Sequence, residues 1–327
     1  MDRRAFITVV GGSIVAAPPL VEAQRVPEIG VLVFGTKRLG LNAERGVGEL
    51  RDALRGFGWI DGQGITLRTQ FADLKEERLA SLAQEFVRRR VDIIVGKGTP
   101  PTDAARRATT SIPIVMSGAS DPIAAGFTRN LARPDGNVTG TSLVLTETAG
   151  KRLQFLKEVT PRLTRTAVLH AGGPAPGRSQ LDEVRAAAHQ LGVELQEFVY
   201  RDLDALETQF GAIRAARAES LIVIAAHTVD EVRAPLAQLA IRHRLPTALT
   251  FREYVEAGGL LSYGPNLAAV HRRAAYYIDR LLRGAKPADL PIEQASKFEL
   301  VINLKTAKAL GLTIPQTLLL RADQVIE

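Results

Sequence analysis

The chain has 327 residues, 24% of them charged and 46% hydrophobic, with 42 Lys and Arg against 35 Asp and Glu for a net charge of +7. That length suits one large or two ordinary domains of a globular protein. The absence of cysteine excludes disulfides, thiolate metal sites, cysteine nucleophiles and any lipid anchor carried on cysteine. The five histidines are dispersed, so no metal site and no cofactor is expected. Of the basic residues 33 are Arg and 9 are Lys, scattered, with Arg88-Arg89-Arg90 the longest run. A nucleic-acid binder concentrates its charge and interleaves aromatics, so no nucleic-acid partner is expected.

Arg3-Arg4 precede an apolar stretch from Ala5 to Leu20, broken by Gly11-Gly12 and Pro18-Pro19, and then Val21-Glu22-Ala23. This is the charged start, short apolar stretch and small-residue cleavage site of an export signal, and it is too short and broken for a membrane span. Arg3-Arg4-Ala5-Phe6-Ile7 also resembles a twin-arginine motif, with Asp2 where Ser or Thr is usual. Cleavage after Ala23 removes the first 23 residues, leaves 304 and keeps the charge at +7.

Short apolar runs then alternate with helical patterns. Residues 29–34, 65–71, 91–95 and 112–116 read as strands, with helices predicted over 43–57, 76–90 and 102–108. After Gly136-Asn137-Val138-Thr139-Gly140 the series restarts, with helices over 146–159, 180–191, 203–215 and 230–243 and strands at 166–170, 193–199, 221–224 and 246–249. The tail supplies strands at 259–263 and 298–302 and helices at 267–282 and 304–310. Two βα series in tandem predict two doubly wound, Rossmann-like α/β lobes, and the tail is too sparse for a third domain. The expected division is residues 24–143 plus 250–287 for the first lobe and 144–249 plus 288–327 for the second. The chain would cross near 141–145, 248–252 and 286–294, a three-segment hinge suited to closure on a ligand.

The motifs of common chemistries are missing. Gly96-Lys97-Gly98-Thr99 has the composition of a phosphate loop without its spacing, and Gly150-Lys151 is followed by Arg152 rather than Ser or Thr. G-x-G-x-x-G after the first strand, G-x-S-x-G and H-E-x-x-H are all absent. A two-lobed cleft without nucleophile, metal or phosphate loop predicts binding rather than catalysis.

Ligands of open α/β sheets bind beyond the carboxyl ends of the strands. Those ends nominate Phe34, Thr99, Ser117, Asp121 and Thr141 from the first lobe, and His170, His227, Phe251 and Tyr263 from the second series and tail. Thr99 would offer helix N–H groups to a carboxylate, with an ordinary helix cap as the alternative. Asp121 would pair with an ammonium group, with an Asx turn before Pro122 as the alternative. Phe34, Phe251 and Tyr263 would wall an apolar side chain, or be plain core.

Several segments resemble the bacterial ABC-transporter substrate-binding proteins of the tryptophan/tyrosine type. They are Phe57-Gly58-Trp59 with Gly62, Ile112-Pro113-Ile114-Val115, Asp121-Pro122 with Gly126, residues 131–140, residues 251–260, Ser262-Tyr263-Gly264-Pro265 and the tail 297–312. The resemblance covers the whole chain after the export segment. It implies a type I periplasmic-binding-protein fold, residence in the periplasm and delivery of a small molecule, an amino acid or small carboxylate, to an ABC permease of the inner membrane. The receptor is expected to be a monomer, free of lipid and without enzymatic activity. The chain departs from that pattern at His170-Ala171-Gly172-Gly173, which replaces an Asn-Pro-rich turn, and at Ala225-Ala226-His227, which lacks a nearby Asp. These loops line the expected cleft, so the ligand of relatives does not transfer directly. The alternative function is an exported ligand sensor for a membrane receptor kinase. A transcription regulator on this fold needs a DNA-binding module of about 60 residues before its first lobe; with the first strand predicted from residue 29 behind an export signal, none is expected.

Overall fold

The computed structural model describes residues 25–327 except 38–40, 171–175, 201–202 and 225–226. The expected export segment, 1–23, lies outside the described residues.

The first series is β1 (Glu28–Val33), α1 (Leu41–Gly56), β2 (Thr66–Phe71), α2 (Glu76–Arg89), β3 (Ile93–Lys97), α3 (Thr99–Ala108), β4 (Ile114–Ala119) and β5 (Val138–Ser142). The second is α4 (Leu145–Val159), β6 (Arg165–His170), α5 (Pro176–Leu191), β7 (Glu194–Val199), α6 (Leu203–Ala215), β8 (Ser220–Val223), α7 (His227–Arg242), β9 (Thr247–Leu249), α8 (Arg252–Glu256) and β10 (Leu261–Pro265). The tail forms α9 (Leu267–Leu282), β11 (Glu293–Gln294), β12 (Phe298–Asn303), α10 (Leu304–Leu310), α11 (Gln316–Leu319) and β13 (Gln324–Ile326).

Two sheets result, in the orders β11-β5-β4-β3-β1-β2 and β13-β12-β10-β9-β8-β6-β7. All pairings in the first are parallel, and in the second only β10–β12 is antiparallel. Each lobe repeats one doubly wound order, β2-β1-β3-β4-β5 and β7-β6-β8-β9-β10. Central strands β1, β3 and β4 are covered on both faces, which is why they read as unbroken apolar runs, whereas edge strand β2 is half exposed. On the first sheet α1 and α9 cover one face, around Leu50, Leu54 and Ile278, and α2 and α3 the other, around Leu79, Phe86 and Ala105. On the second, α4, α5, α10 and α11 cover one face and α6, α7 and α8 the other.

Strand pairing corrects the expected lobe boundaries. β10 hydrogen-bonds β9 and β12, so residues 250–265 lie with the second sheet and not the first. β11 pairs with β5, so residues 293–294 lie with the first sheet and not the second. The crossings fall between β5 and α4, between β10 and α9, and between β11 and β12. The first is where it was expected; the other two lie further along the chain. The physical reason is that β10 resumes the parallel series after only the five-residue helix α8, so the chain leaves the second lobe one strand later.

β5, Val138-Thr139-Gly140-Thr141-Ser142, lacks an aliphatic run and is not among the strands predicted from the sequence. It is a fully buried strand beside β4. Gly140 makes this possible: its φ is +127°, and a Cβ there would lie 2.2 Å from the Met116 carbonyl oxygen.

Candidate ligand-binding cleft

The crossings determine which ends of the sheets face each other. β5 ends at Ser142, and α4 of the other lobe begins at Leu145. β10 ends at Pro265, and Asn266 caps α9 of the first lobe by accepting from Ala269 N–H at 2.9 Å. β11 runs parallel to β5 and leads into β12, whose first residue, Phe298, pairs with Pro265. All three links join carboxyl ends of one sheet to carboxyl ends of the other. The cleft therefore lies between those ends, where α/β sheets hold ligands. A cluster of Leu143, Val270 and Phe251 packs the hinge, and Arg45 of α1 meets Glu256 of α8 at 3.7 Å across the lobes.

The nominated residues divide into those at the rim and those committed below it. Asp121 leaves β4 at the rim. Its Oδ1 accepts from Ile123 N–H at 3.0 Å and Ala124 N–H at 2.9 Å, so the Asx-turn alternative is present. Its Oδ2 has no partner among the described residues. Thr99 Oγ1 accepts from Ser120 N–H at 3.0 Å, tying the β3 and β4 exits together. Helix α3 starts at Thr99, three residues before the predicted start, because Pro100 and Pro101 occupy its first turn. Neither proline carries an N–H, so this helix start is a poor cradle for a carboxylate. Gly96 and Gly98, which suggested a phosphate loop, serve packing instead: Thr102 Oγ1 donates to both carbonyls, at 3.2 and 2.7 Å, over strand backbone that no Cβ separates from the helix.

Ser117 and Thr141 are buried rather than exposed to the cleft. Ser117 Oγ lies 2.7 Å from His271 Nδ1 of α9. Thr141 Oγ1 accepts from Gly118 N–H at 3.2 Å and sits 3.4 Å from the Met116 carbonyl oxygen. Phe34 belongs to the core under α2 and α3. Phe251 packs in the hinge cluster and stacks on Tyr254 at 6.0 Å. Tyr263 packs under α4, edge-on to Phe155 at 5.2 Å, with Lys151 Nζ 5.5 Å from its ring centre. Phe34 and Phe251 are buried and Tyr263 is partly buried. His170 is half-buried at the end of β6; burial lowers its pKa, with the Glu197 carboxylate opposing and Arg185 assisting. His227 begins α7, and its side chain lies outside the described residues, as do the loops 171–175 and 225–226.

Three side chains escaped the sequence reading. Lys97, at the end of β3, and His271, on α9, both crowd the space beside Gly46 of α1. Arg152 lies on the buried face of α4 with Thr148, Ala149, Leu153, Leu156 and Val159. A charged residue on an apolar helical stripe is the sequence signal that marks it. Among the described residues no cluster of three metal-ligating side chains occurs, and no helix is long and apolar enough to cross a membrane.

Comparison with known proteins agrees with this architecture. Residues 29–326 match the family model of ABC transporter substrate binding proteins. The chain is 26% identical over 260 residues to a tyrosine-binding protein of Clostridioides difficile, covering 80% of this chain and 74% of that one. It is similar to a solved conserved domain protein of Vibrio cholerae, with TM-score 0.84, 25% identity and coverage of 92% and 100%. It is also similar to an ABC domain from Streptococcus pneumonia solved in complex with L-Trp, with TM-score 0.83, 26% identity and coverage of 92% and 99%. With two doubly wound lobes, a three-strand hinge and a family match over nearly its full length, the chain has the type I periplasmic-binding-protein fold and belongs to the ABC transporter substrate binding protein family.

Proposed function

We propose that this protein is an exported receptor that captures an amino acid with an apolar or aromatic side chain between its lobes and delivers it to an ABC permease. Two similar proteins support the ligand class: one, matched over 80% of this chain, is a tyrosine-binding protein, and a second, matched over 92% of it, is solved with L-Trp. The observation that carries the reading is the hinge, which joins the carboxyl ends of two parallel sheets around a cleft rimmed by Asp121. The free Oδ2 of Asp121 would take the ligand ammonium group, and closure by the three-segment hinge would exclude water and create the surface the permease reads. The chain without residues 1–23 works as a free monomer in the periplasm.

Calorimetry of that processed chain against the twenty amino acids tests the proposal. L-Tyr, L-Trp or another amino acid with a large apolar side chain is expected to bind with a Kd of about 10 μM or tighter, in the range of μM recognition. Absence of heat with every amino acid would reject the ligand class.

A further inference from the structure

Arg152 has no exposed surface, and its Nε and Nη1 lack any hydrogen-bond partner among the described residues. Nη2 reaches only Gln180 Oε1, at the long distance of 3.5 Å. Among the described residues no Asp or Glu bears on it and the one titratable neighbour is Tyr254; burial lowers its pKa to about 10, which leaves it cationic at neutral pH. A buried charge without a counter-ion is costly, and filling the same space with apolar side chains would be more stable. The group calls for an anion that no described residue supplies.

Its position says where that anion arrives. Side chains of an α-helix lean toward the helix N-terminus. Helix α4 starts at Leu145, directly after the first crossing, so Arg152 leans toward the cleft. Gln180, its one hydrogen-bond partner among the described residues, stands early in α5, which starts after the cleft end of β6. α4 packs on β8, β9 and β10, and Thr250, just past the cleft end of β9, has a second buried polar atom, Oγ1, without a partner. In the first lobe α3 begins with two prolines, and Asp121 at the rim would repel a carboxylate.

We infer that Arg152 is the carboxylate-binding group of the second lobe, reached by the ligand's carboxylate from the cleft when the guanidinium swings up on its flexible stem. A planar guanidinium with two free donor edges fits a carboxylate in a two-bond fork. This deepens the amino-acid reading and rests on it: Asp121 holds the ammonium group from one lobe, Arg152 the carboxylate from the other, so one zwitterion draws the lobes together.

The test compares wild type with Arg152→Met and Arg152→Lys, titrated with L-tryptophan, L-tyrosine, the matching amines tryptamine and tyramine, and indole-3-acetate. Wild type is expected to bind at least one of the two amino acids and to bind the matching amine about 100-fold more weakly, the scale of a lost charged pair. Arg152→Met should lose about 100-fold in affinity while melting no lower than wild type without ligand, because it removes an uncompensated buried charge. A merely structural arginine would move the melting temperature and leave the affinity alone. If indole-3-acetate binds in an Arg152-dependent manner and no amino acid does, the amino-acid reading fails and the carboxylate site stands. Equal affinity of acid and amine, undiminished binding by Arg152→Met, or no binding of any carboxylate probe overturns the inference. If the Met variant does not fold, the acid-against-amine comparison on wild type and the Lys variant decide it.

Discussion

Ser117 Oγ and His271 Nδ1 lie 2.7 Å apart in the buried interior of the first lobe, linking β4 to α9. Burial, reinforced by the ammonium of nearby Lys97, holds the imidazole well below the usual histidine value of 6.5. The native ring therefore stays neutral over a pH range in which the unfolded chain's ring is charged. The unfolded state binds the extra proton, so this contribution to stability is complete above pH 6.5 and is lost as pH falls below it, at up to ~1.4 kcal/mol per pH unit. Urea unfolding of wild type and His271→Gln at neutral and mildly acidic pH checks this. Wild type should lose more stability on acidification than the variant, and parallel losses would show that His271 does not titrate on unfolding.

Most of the fold was legible because its strands are either unbroken apolar runs, such as Ile29 to Val33, or end at Gly, Pro and Asp signals. β5 was illegible because it satisfies burial with Thr, Ser and Gly, whose hydroxyls find backbone partners: Thr139 donates to the Leu290 carbonyl at 2.7 Å. The lobe assignment of β10 was illegible for a different reason, since no local pattern says which sheet a short strand joins. At the site, the positions of strand ends were readable but the direction of side chains was not. Period-two alternation sends every second residue of a strand to a face rather than to the cleft, so Ser117 points at α9 and Tyr263 at α4. Arg152 was missed because no motif marks it; its one trace in the sequence is a charged residue on the apolar stripe of α4.

Gly140 should tolerate no side chain. An alanine Cβ would meet Met116 backbone atoms at 2.2 and 2.8 Å, and the backbone φ of +127° disfavours any L-residue. The neighbour is strand backbone in a fully buried ladder, so it cannot yield without breaking the β4–β5 pairing. Gly140→Ala is expected to cost about 4 kcal/mol or more, at the extreme end of single substitutions. Soluble yield and melting temperature report it directly; a variant within a few degrees of wild type contradicts this account of β5.

Arg45 and Glu256 pair at 3.7 Å between α1 and α8, with both side chains substantially exposed. Such a pair contributes at most about 1 kcal/mol and is screened by salt. Its placement across the lobes makes it a bias on the hinge rather than a support of either lobe. Arg45→Glu puts like charges across the cleft and is expected to weaken ligand affinity by about two- to fivefold, the range an exposed pair allows, at low salt, with little change in melting temperature. The reciprocal exchange, Arg45→Glu with Glu256→Arg, should restore the affinity. No recovery in the double variant would remove the pair from the closing motion.

In the proposed binding mode Asp121 has two separable tasks, one for each oxygen. Oδ1 closes the turn after β4 by accepting from Ile123 and Ala124, and Oδ2, without a partner among the described residues, would meet the ligand. Alanine removes both, whereas asparagine keeps a carbonyl oxygen for the turn and discards the charge. Asp121→Ala should therefore lose about 1 kcal/mol of stability, the scale of a lost backbone cap, together with at least about a tenfold loss of amino-acid affinity from the broken charge-assisted bond. Asp121→Asn should keep the stability and still lose the affinity. Calorimetric titration with the amino acid that wild type binds, beside a thermal melt of each variant, separates the two tasks. If Asp121→Asn binds as tightly as wild type, the charge is not read by the ligand, and Asp121 is a turn residue alone.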